Sequence, residues 1–391
     1  AVTDEEARQP NFLFLLADDL GWGDLGCYGH PYIKTPNIDR LAAEGTRFER
    51  FYVSGSVCHP SRATFMTGQF LASCFGNVHT LDDGRRVNVS MAPGSVPVTR
   101  LLQKAGYKTA HVGKWHLNSS ALIDPGKYGL DVFHSGQRKQ LGDFPADMKE
   151  RNGQDQKLAR AAIHFMRQHR DHPFYLQLWF TVPHSPVRPS AKELDLYRDL
   201  QPSLEDFQGF TREHFATRRN FQQQMRAFCA QITGHDRVVG EVLAALEEMG
   251  LSDNTLVFYS SDNGPPPPAR TPETYTEEVN AMGSAGPFRG RKFTYYEGGI
   301  REPMFAYWPG KIRAGTKTDI PVTNLDFYPT LLEAANIQNK LDKVLDGKSI
   351  LSVMKGEEMS ERPLFWHFPI YLEGGNKETQ DPVFRTRPGS A

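Results

Sequence analysis

Phe12-Leu13-Phe14-Leu15-Leu16-Ala17, followed at once by Asp18-Asp19, is an apolar run of strand length that stops on two carboxylates. A strand with one solvated face alternates apolar and polar residues. An unbroken run is what a strand shows when helices cover both of its faces, as in a parallel sheet. The same form recurs at Tyr107 to Val112, Phe174 to Thr181 and Thr255 to Ser260. Helical patterns lie between these runs. Pro36 to Gly45 and Pro97 to Gly106 each begin with Pro and stop at Gly, and Leu158 to Arg170, Phe221 to Gly250 and Asp326 to Ala335 carry helical spacing. The alternation predicts an α/β fold with a doubly wound, mostly parallel central sheet flanked by helices.

Bulk properties narrow the function classes. Lys plus Arg (45) nearly cancels Asp plus Glu (46) over 391 residues, so no net charge calls for nucleic acid or a membrane surface. No apolar run approaches the roughly 20 residues of a membrane span, and the polar start Ala1-Val2-Thr3-Asp4-Glu5-Glu6 is not a signal peptide. Cys27, Cys58, Cys74 and Cys229 form no C-x-x-C pair and are too few for a disulfide scaffold. The stretches 117–155, 185–220 and 264–290 read as long connections over one edge of the sheet, with Pro265-Pro266-Pro267-Pro268 as a stiff brace. After Ala335 the chain reads as a small appendage.

Each apolar run ends on residues able to do chemistry: Asp18-Asp19, Gly113-Lys114-Trp115-His116, Pro183-His184-Ser185-Pro186 and Asp262-Asn263-Gly264. Singly, each is an ordinary cap or turn. Together they fall along the carboxyl ends of parallel strands, where ligands of open α/β sheets bind. Asp18, Asp19, Asp262 and Asn263 offer only hard oxygen donors, which suits Ca²⁺ or Mg²⁺ and not zinc. Arg62, Lys114, His116, His184 and Lys292 supply a positive ring for a tetrahedral oxyanion and a proton for its leaving oxygen. That is a site for phosphoryl or sulfuryl ester cleavage. In Val57-Cys58-His59-Pro60-Ser61-Arg62 a cysteine precedes Pro where a loop turns into a helix, a position that a small apolar residue also fills without chemistry.

From Asn11 to about Ala335 the chain resembles the type I, formylglycine-dependent sulfatases of the alkaline phosphatase superfamily. The resemblance runs through Ala-Asp-Asp-Leu-Gly-Trp-Gly-Asp-Leu, Cys-His-Pro-Ser-Arg-Ala-Thr, Gly-Lys-Trp-His-Leu, Pro-His-Ser-Pro, Ser-Asp-Asn-Gly and Arg-Lys-Phe-Thr-Tyr-Tyr-Glu-Gly-Gly-Ile-Arg, in that order. It implies that Cys58 is oxidised by a formylglycine-generating enzyme to Cα-formylglycine, whose hydrate has one hydroxyl to attack sulfur and another to expel the product. It further implies one Ca²⁺ on Asp18, Asp19, Asp262, Asn263 and the modified Cys58. Arg62 would steady the formylglycine hydroxyl, with Lys114 beside it as a charge anchor. His116 would take the proton of the second hydroxyl. His184 and Lys292 would contact the sulfate and its bridging oxygen, with His184 donating to the leaving alcohol.

The implied substrate is a sulfated polysaccharide or oligosaccharide, gripped by Lys114, His184 and Lys292, with Arg188 and Arg291, and also Arg270 and Arg289, reaching further charges. Trp115 and Tyr295 are expected to stack on a ring. A phosphonate or phosphate ester hydrolase and an inactive Ca²⁺-dependent binder of sulfated glycans are the alternatives. The resemblance implies a periplasmic or secreted protein. It departs from the family pattern at Gln69, where Thr-Gly-Arg is usual, and after Asp346, where an antiparallel sheet normally follows. The expected organisation is a catalytic α/β domain over 1–345 and, over 346–391, the start of a small, truncated C-terminal α+β subdomain.

Overall fold

The structure, a computed structural model, describes residues 8–74, 91, 94–117, 124–135, 140–141, 154–267, 279–338 and 345–366. Its centre is a ten-stranded sheet ordered β10-β2-β8-β7-β1-β6-β3-β4-β5, with β9 also paired to β2. In chain order the strands are β1 (Asn11–Asp18), β2 (Thr46–Tyr52), β3 (Lys108–Gly113), β4 (Val132–His134), β5 (Gln140–Leu141), β6 (Phe174–Pro183), β7 (Thr255–Ser261), β8 (Arg301–Tyr307), β9 (Thr316–Thr318) and β10 (Val322–Thr323). β1 lies between β6 and β7, parallel to both, with Leu13 opposite Leu176 on one side and Val257 on the other. Only the pairs β2–β8, β7–β8 and β4–β5 run antiparallel. The mostly parallel, doubly wound expectation therefore holds, and the apolar runs form β1, β3, β6 and β7.

All eight residues of β1 are buried because each face packs against helices. Leu13, Leu15 and Ala17 join residues of helices Pro36–Glu44, Gln154–Gln168 and Phe221–Glu248. Phe12, Phe14 and Leu16 join helices Cys58–Thr67, Val98–Lys104 and Phe327–Ala334 on the other face. The Phe14 ring sits 5.0 Å from that of Phe65 and 4.4 Å from that of Phe327. Removing such a buried ring costs about 3–5 kcal/mol.

Strands β2 and β8 escape a reading by apolar runs. β2 is Thr-Arg-Phe-Glu-Arg-Phe-Tyr, with charges on its partly exposed positions, and β8 carries Pro303, which normally argues against a strand. Residues 345–366 are not set apart from the sheet. Ile350, Leu351, Val353 and Met354 are buried in the same cluster as Phe327 and Leu331. Most of the small, truncated subdomain expected over 346–391 falls on residues 367–391, outside the described residues, as do Arg270 and Pro268. Among the described residues no helix is long and apolar enough to cross a membrane.

Candidate active site

Successive side chains of a strand point to opposite faces, so Asp18 and Asp19 would diverge if β1 simply continued. It does not. Asp19 adopts a left-handed backbone, φ 70°, and its N–H donates to Asp262 Oδ1 at 3.1 Å. Both carboxylates thereby reach one buried cluster. Ligand atoms of Asp18, Asp19, Cys58 and Asp262 lie within 4.8 Å of one another. Asn263, the residue after Asp262, donates from Nδ2 to Asp19 Oδ1 at 2.7 Å.

Cys58 opens helix Cys58–Thr67, whose residues are buried except His59. At its far end Gly68 takes φ 60° and donates to Thr64 O, and a Cβ there would come within 2.7 Å of Tyr328 Cβ, so glycine serves both conformation and space. The Cys58 Sγ lies 3.4 Å from Asp18 Oδ1, 3.5 Å from Asp19 Oδ1 and 3.2 Å from Lys292 Nζ. Burial first, then the Asp262 charge, pushes this thiol well above its ordinary value, so it is protonated and a poor nucleophile as sulfur.

Three cations match three carboxylates. Arg62 is fully buried and donates Nε to Asp262 Oδ2 at 2.7 Å and Nη1 to the Lys114 carbonyl at 2.7 Å, while its guanidinium lies 5.2 Å from the Trp179 ring. Lys114 Nζ sits 2.8 and 2.6 Å from the two Asp18 oxygens. Lys292 Nζ sits 2.5 Å from Asp19 Oδ1. Burial would raise the Asp18 and Asp19 pKa values, but the surrounding cations together outweigh it, Lys114 and Arg62 foremost at Asp18 and Lys292 foremost at Asp19 with His184 and Lys114 behind it, so both carboxylates are held below the usual range. Asp262 is pushed up: burial and repulsion from Asp18 overcome Arg62.

The two histidines differ in setting. His184 follows a cis proline at Pro183, and its N–H donates to the Asp18 carbonyl at 3.0 Å. Its ring is 39% exposed, with Nδ1 2.9 Å from the Ser185 carbonyl and Nε2 3.9 Å from Asp19 Oδ2. Nδ1–H donating to that carbonyl leaves Nε2 turned toward the cluster. His116 adopts φ 52° in the loop after β3 and stacks on His59, ring centroids 5.6 Å apart. His116 is exposed as a residue, yet desolvation of its ring first, then the Lys114 and Arg62 charges, push its pKa below the ordinary imidazole value. A neutral ring can accept a proton.

A divalent cation fits this donor set. Asp19 Oδ2 and Asn263 Oδ1 are buried hard oxygens without a hydrogen-bond partner, a costly arrangement for a carboxylate and an amide oxygen unless something positive faces them. With three cations balancing three carboxylates, a divalent ion would leave the pocket two charges positive, suited to an anionic ester.

The cluster holds Asp18, Asp19, Cys58, Arg62, Lys114, Asp262, Asn263 and Lys292, with His184 at its edge and His116 joined through the Lys114 loop. Two residues expected at the substrate are buried, and a third, Tyr295, is partly so. Arg291 is 4% exposed and donates to the carbonyls of Pro266, Ala281 and Gly283, so its guanidinium is spent on bracing backbone. Trp115 is 1% exposed, packed among His111, Tyr128 and Phe133, and has no face left to stack on substrate. The Tyr295 ring is only partly exposed, and burial drives its hydroxyl pKa up. Arg188 and Arg289 are exposed, the latter 4.2 Å from the Tyr296 ring. His59 and Phe293 emerge only from the structure. The signal for His59 lay in its place beside Cys58, whereas nothing in the sequence marks the backbone of Phe293.

The Sulfatase family model matches residues 10–337. N-acetylgalactosamine-6-sulfatase of Homo sapiens is 32% identical over 392 residues, spanning 92% of this chain and 68% of that protein. Arylsulfatase A of Homo sapiens is 33% identical over 383 residues, spanning 93% and 71%. Among solved structures, Ps i-CgsB in complex with k-i-k-neocarrahexaose aligns with a TM-score of 0.73 at 27% identity, covering 92% of this chain and 80% of that one.

Proposed function

This chain belongs to the sulfatase family and is a sulfuric ester hydrolase, and from that premise we propose that it cleaves sulfate esters of a sulfated oligosaccharide or polysaccharide, using Cα-formylglycine made from Cys58 and one Ca²⁺. The observation that carries this is the setting of Cys58: a buried thiol at the start of a helix, within 3.5 Å of two carboxylates and a lysine. Sulfur so placed is a poor nucleophile, and the same partners suit a hydroxyl-bearing side chain. The sugar follows from the relatives: N-acetylgalactosamine-6-sulfatase and the structure solved with a neocarrahexaose both handle sugars by name. Export, periplasmic or secreted, and maturation by a formylglycine-generating enzyme belong to the same reading.

Hydration of the aldehyde supplies a hydroxyl nucleophile and a second hydroxyl through which product leaves. Asp18, Asp19, Asp262, Asn263 and residue 58 would hold the Ca²⁺, whose charge favours an anionic ester in the pocket. Lys114 on Asp18 and Lys292 on Asp19 each place a point charge against the cluster and steady the sulfate oxygens there. Arg62 anchors Asp262 and the Lys114 loop at once, fixing the helix that presents residue 58. His184, at the edge of the cluster with Nε2 turned toward it, delivers a proton to the leaving oxygen. His116, held neutral, takes a proton from residue 58. The two rings thus serve opposite transfers.

The test is the mass of the Cys58 peptide from protein co-produced with a formylglycine-generating enzyme, paired with sulfate release from sulfated sugars and phosphate release from their phosphate analogues. A loss of about 18 Da, thiol exchanged for aldehyde, with preferential sulfate release is the expected result. An unmodified, inactive Cys58, or faster phosphate release, overturns it.

A further inference from the structure

We propose that Phe293 is the platform of a leaving-group subsite, on which the flat apolar face of a ring alcohol, such as the CH-rich face of a pyranose, rests while its sulfate occupies the pocket at residue 58. This rests on the sulfatase reading above and names what the enzyme recognises beyond the sulfate.

Three independent observations converge on this side chain. Phe293 has φ 76°. A bulky residue there is a backbone outlier, and such outliers persist where the surroundings over-determine them. The surroundings do so here: the Lys292 N–H donates to the Pro265 carbonyl at 3.0 Å, and the Phe293 N–H to the Ser56 carbonyl at 2.9 Å, two residues before Cys58. The strained conformation also sends an aromatic ring outward. Phe293 is 38% exposed, one of only four large exposed hydrophobics among the described residues. A core-forming role would bury the ring, and a turn with no role for a side chain would be met by glycine without strain.

Position supplies the third observation. The Phe293 ring centroid is 5.8 Å from Lys292 Nζ, which is itself 3.2 Å from Cys58 Sγ. The ring therefore stands beside the reactive centre, within reach of the alcohol of any ester whose sulfate contacts Lys292. His184, half-exposed, brings Nε2 to 3.9 Å from Asp19 Oδ2, the carboxylate that also pairs Lys292. An alcohol whose sulfate contacts Lys292 therefore lies near both that imidazole and the apolar Phe293 ring. Aromatic faces bind the apolar face of a ring, and the nearby ammonium further polarises the ring electrons.

The experiment compares matured wild type with Phe293→Gly and Phe293→Trp on three esters: a ringless alkyl sulfate, a monosaccharide sulfate and an aryl sulfate. The reading is the ratio of kcat/KM for each ring ester to that for the alkyl ester. Phe293→Gly is expected to lower the ratio about tenfold, the scale of one aromatic contact with its burial, mainly through KM. Phe293→Trp retains it. Whichever ring ester shows the loss identifies whether a sugar or an aryl alcohol is bound. Melting temperature separates this from a scaffold role: glycine relieves the left-handed backbone, so Phe293→Gly should melt no lower than wild type. A ratio unchanged while wild type still releases sulfate overturns the subsite and leaves the sulfatase reading intact. Absence of sulfate release from every ester by the formylglycine-containing enzyme overturns both.

Discussion

Lys292 carries an ammonium into a pocket that three carboxylates and a thiol share, 2.5 Å from Asp19 and 3.2 Å from Cys58. Burial alone would lower its pKa, but Asp19 and the other acidic groups overcome burial and hold it firmly charged. Without a metal it is the ion that keeps Asp19 paired. It also opposes any cation entering beside Asp19, because like charges a few ångströms apart repel by about 4 kcal/mol at an effective dielectric near 20, before screening. Two outcomes follow for Lys292→Met. In chelator-treated protein the variant loses about 3 kcal/mol of stability, the cost of leaving a buried carboxylate unpaired. Its Ca²⁺ affinity, measured calorimetrically, rises at least tenfold over wild type even though catalysis is lost. A weaker affinity would show that Asp19 does not face the ion. At this scale residue types were legible in advance, since carboxylates, lysines and histidines at strand ends announce chemistry by kind. Exposure was not. Trp115 and Arg291 sit in the right motifs, yet one packs into the aromatic core and the other spends its guanidinium on backbone carbonyls. Nothing local distinguishes a tryptophan that faces substrate from one that faces Phe133.

Helix Cys58–Thr67 is gripped at more than one point. His59 and Arg62 lie three residues apart, hence on one helix face, and both hold the loop after β3. Arg62 donates to the Lys114 carbonyl, while His59 hydrogen-bonds the Leu117 main chain and stacks on the His116 ring. On the helix's other side Asn324 donates to the Ser61 carbonyl at 3.1 Å and Thr64 Oγ1 at 2.6 Å, and accepts from Ser54 at both N and Oγ. The element that presents residue 58 is thus pinned to the loop that presents His116. A double-mutant cycle tests whether His59 acts through that ring. His59→Ala should lower kcat about tenfold with KM little changed in the wild-type background, and lower it hardly at all in His116→Ala. Equal losses in both backgrounds would mean that His59 merely supports the helix. Much of this element was readable: Cys before Pro, then Ser-Arg, marks a helix start, and Gly68 marks its end. The loop it clamps was not, because the αL turn of His116 depends on contacts that only the assembled sheet provides.

In the whole molecule, sequence patterning served the parallel centre and failed at the antiparallel flank. β1, β3, β6 and β7 are apolar throughout because helices cover both faces, and so they announce themselves. β2 and β8 pair with one another across a register shift between Phe48 and Phe51, with charged residues tolerated where the sheet meets solvent, and no continuous run marks them. The described C-terminal stretch, 345–366, is hard to read in sequence for a related reason. Its apolar residues are too sparse to suggest a core of their own, and in the structure they complete one that already exists. Asp326 makes that join polar as well as apolar. Fully buried, it accepts from Thr323 N and Lys348 N, each at 2.8 Å, and from Arg362 Nη1 at 2.7 Å, with Arg362 Nη2 on its other oxygen. A two-pronged guanidinium on a buried carboxylate is costly to break, because the carboxylate cannot regain its water. Arg362→Met should therefore lower stability by about 3–5 kcal/mol in urea unfolding, far more than a surface ion pair, whose loss costs about 0–1 kcal/mol. Arg362→Lys, which keeps the charge but loses the fork, should fall between. Sulfate release by the folded fraction should match wild type at 25 °C, since the pair touches no residue of the Cys58 cluster. A loss under 1 kcal/mol in Arg362→Met would mean that residues 345–366 adhere through Ile350, Leu351 and Met354 alone, and that the ionic join is incidental.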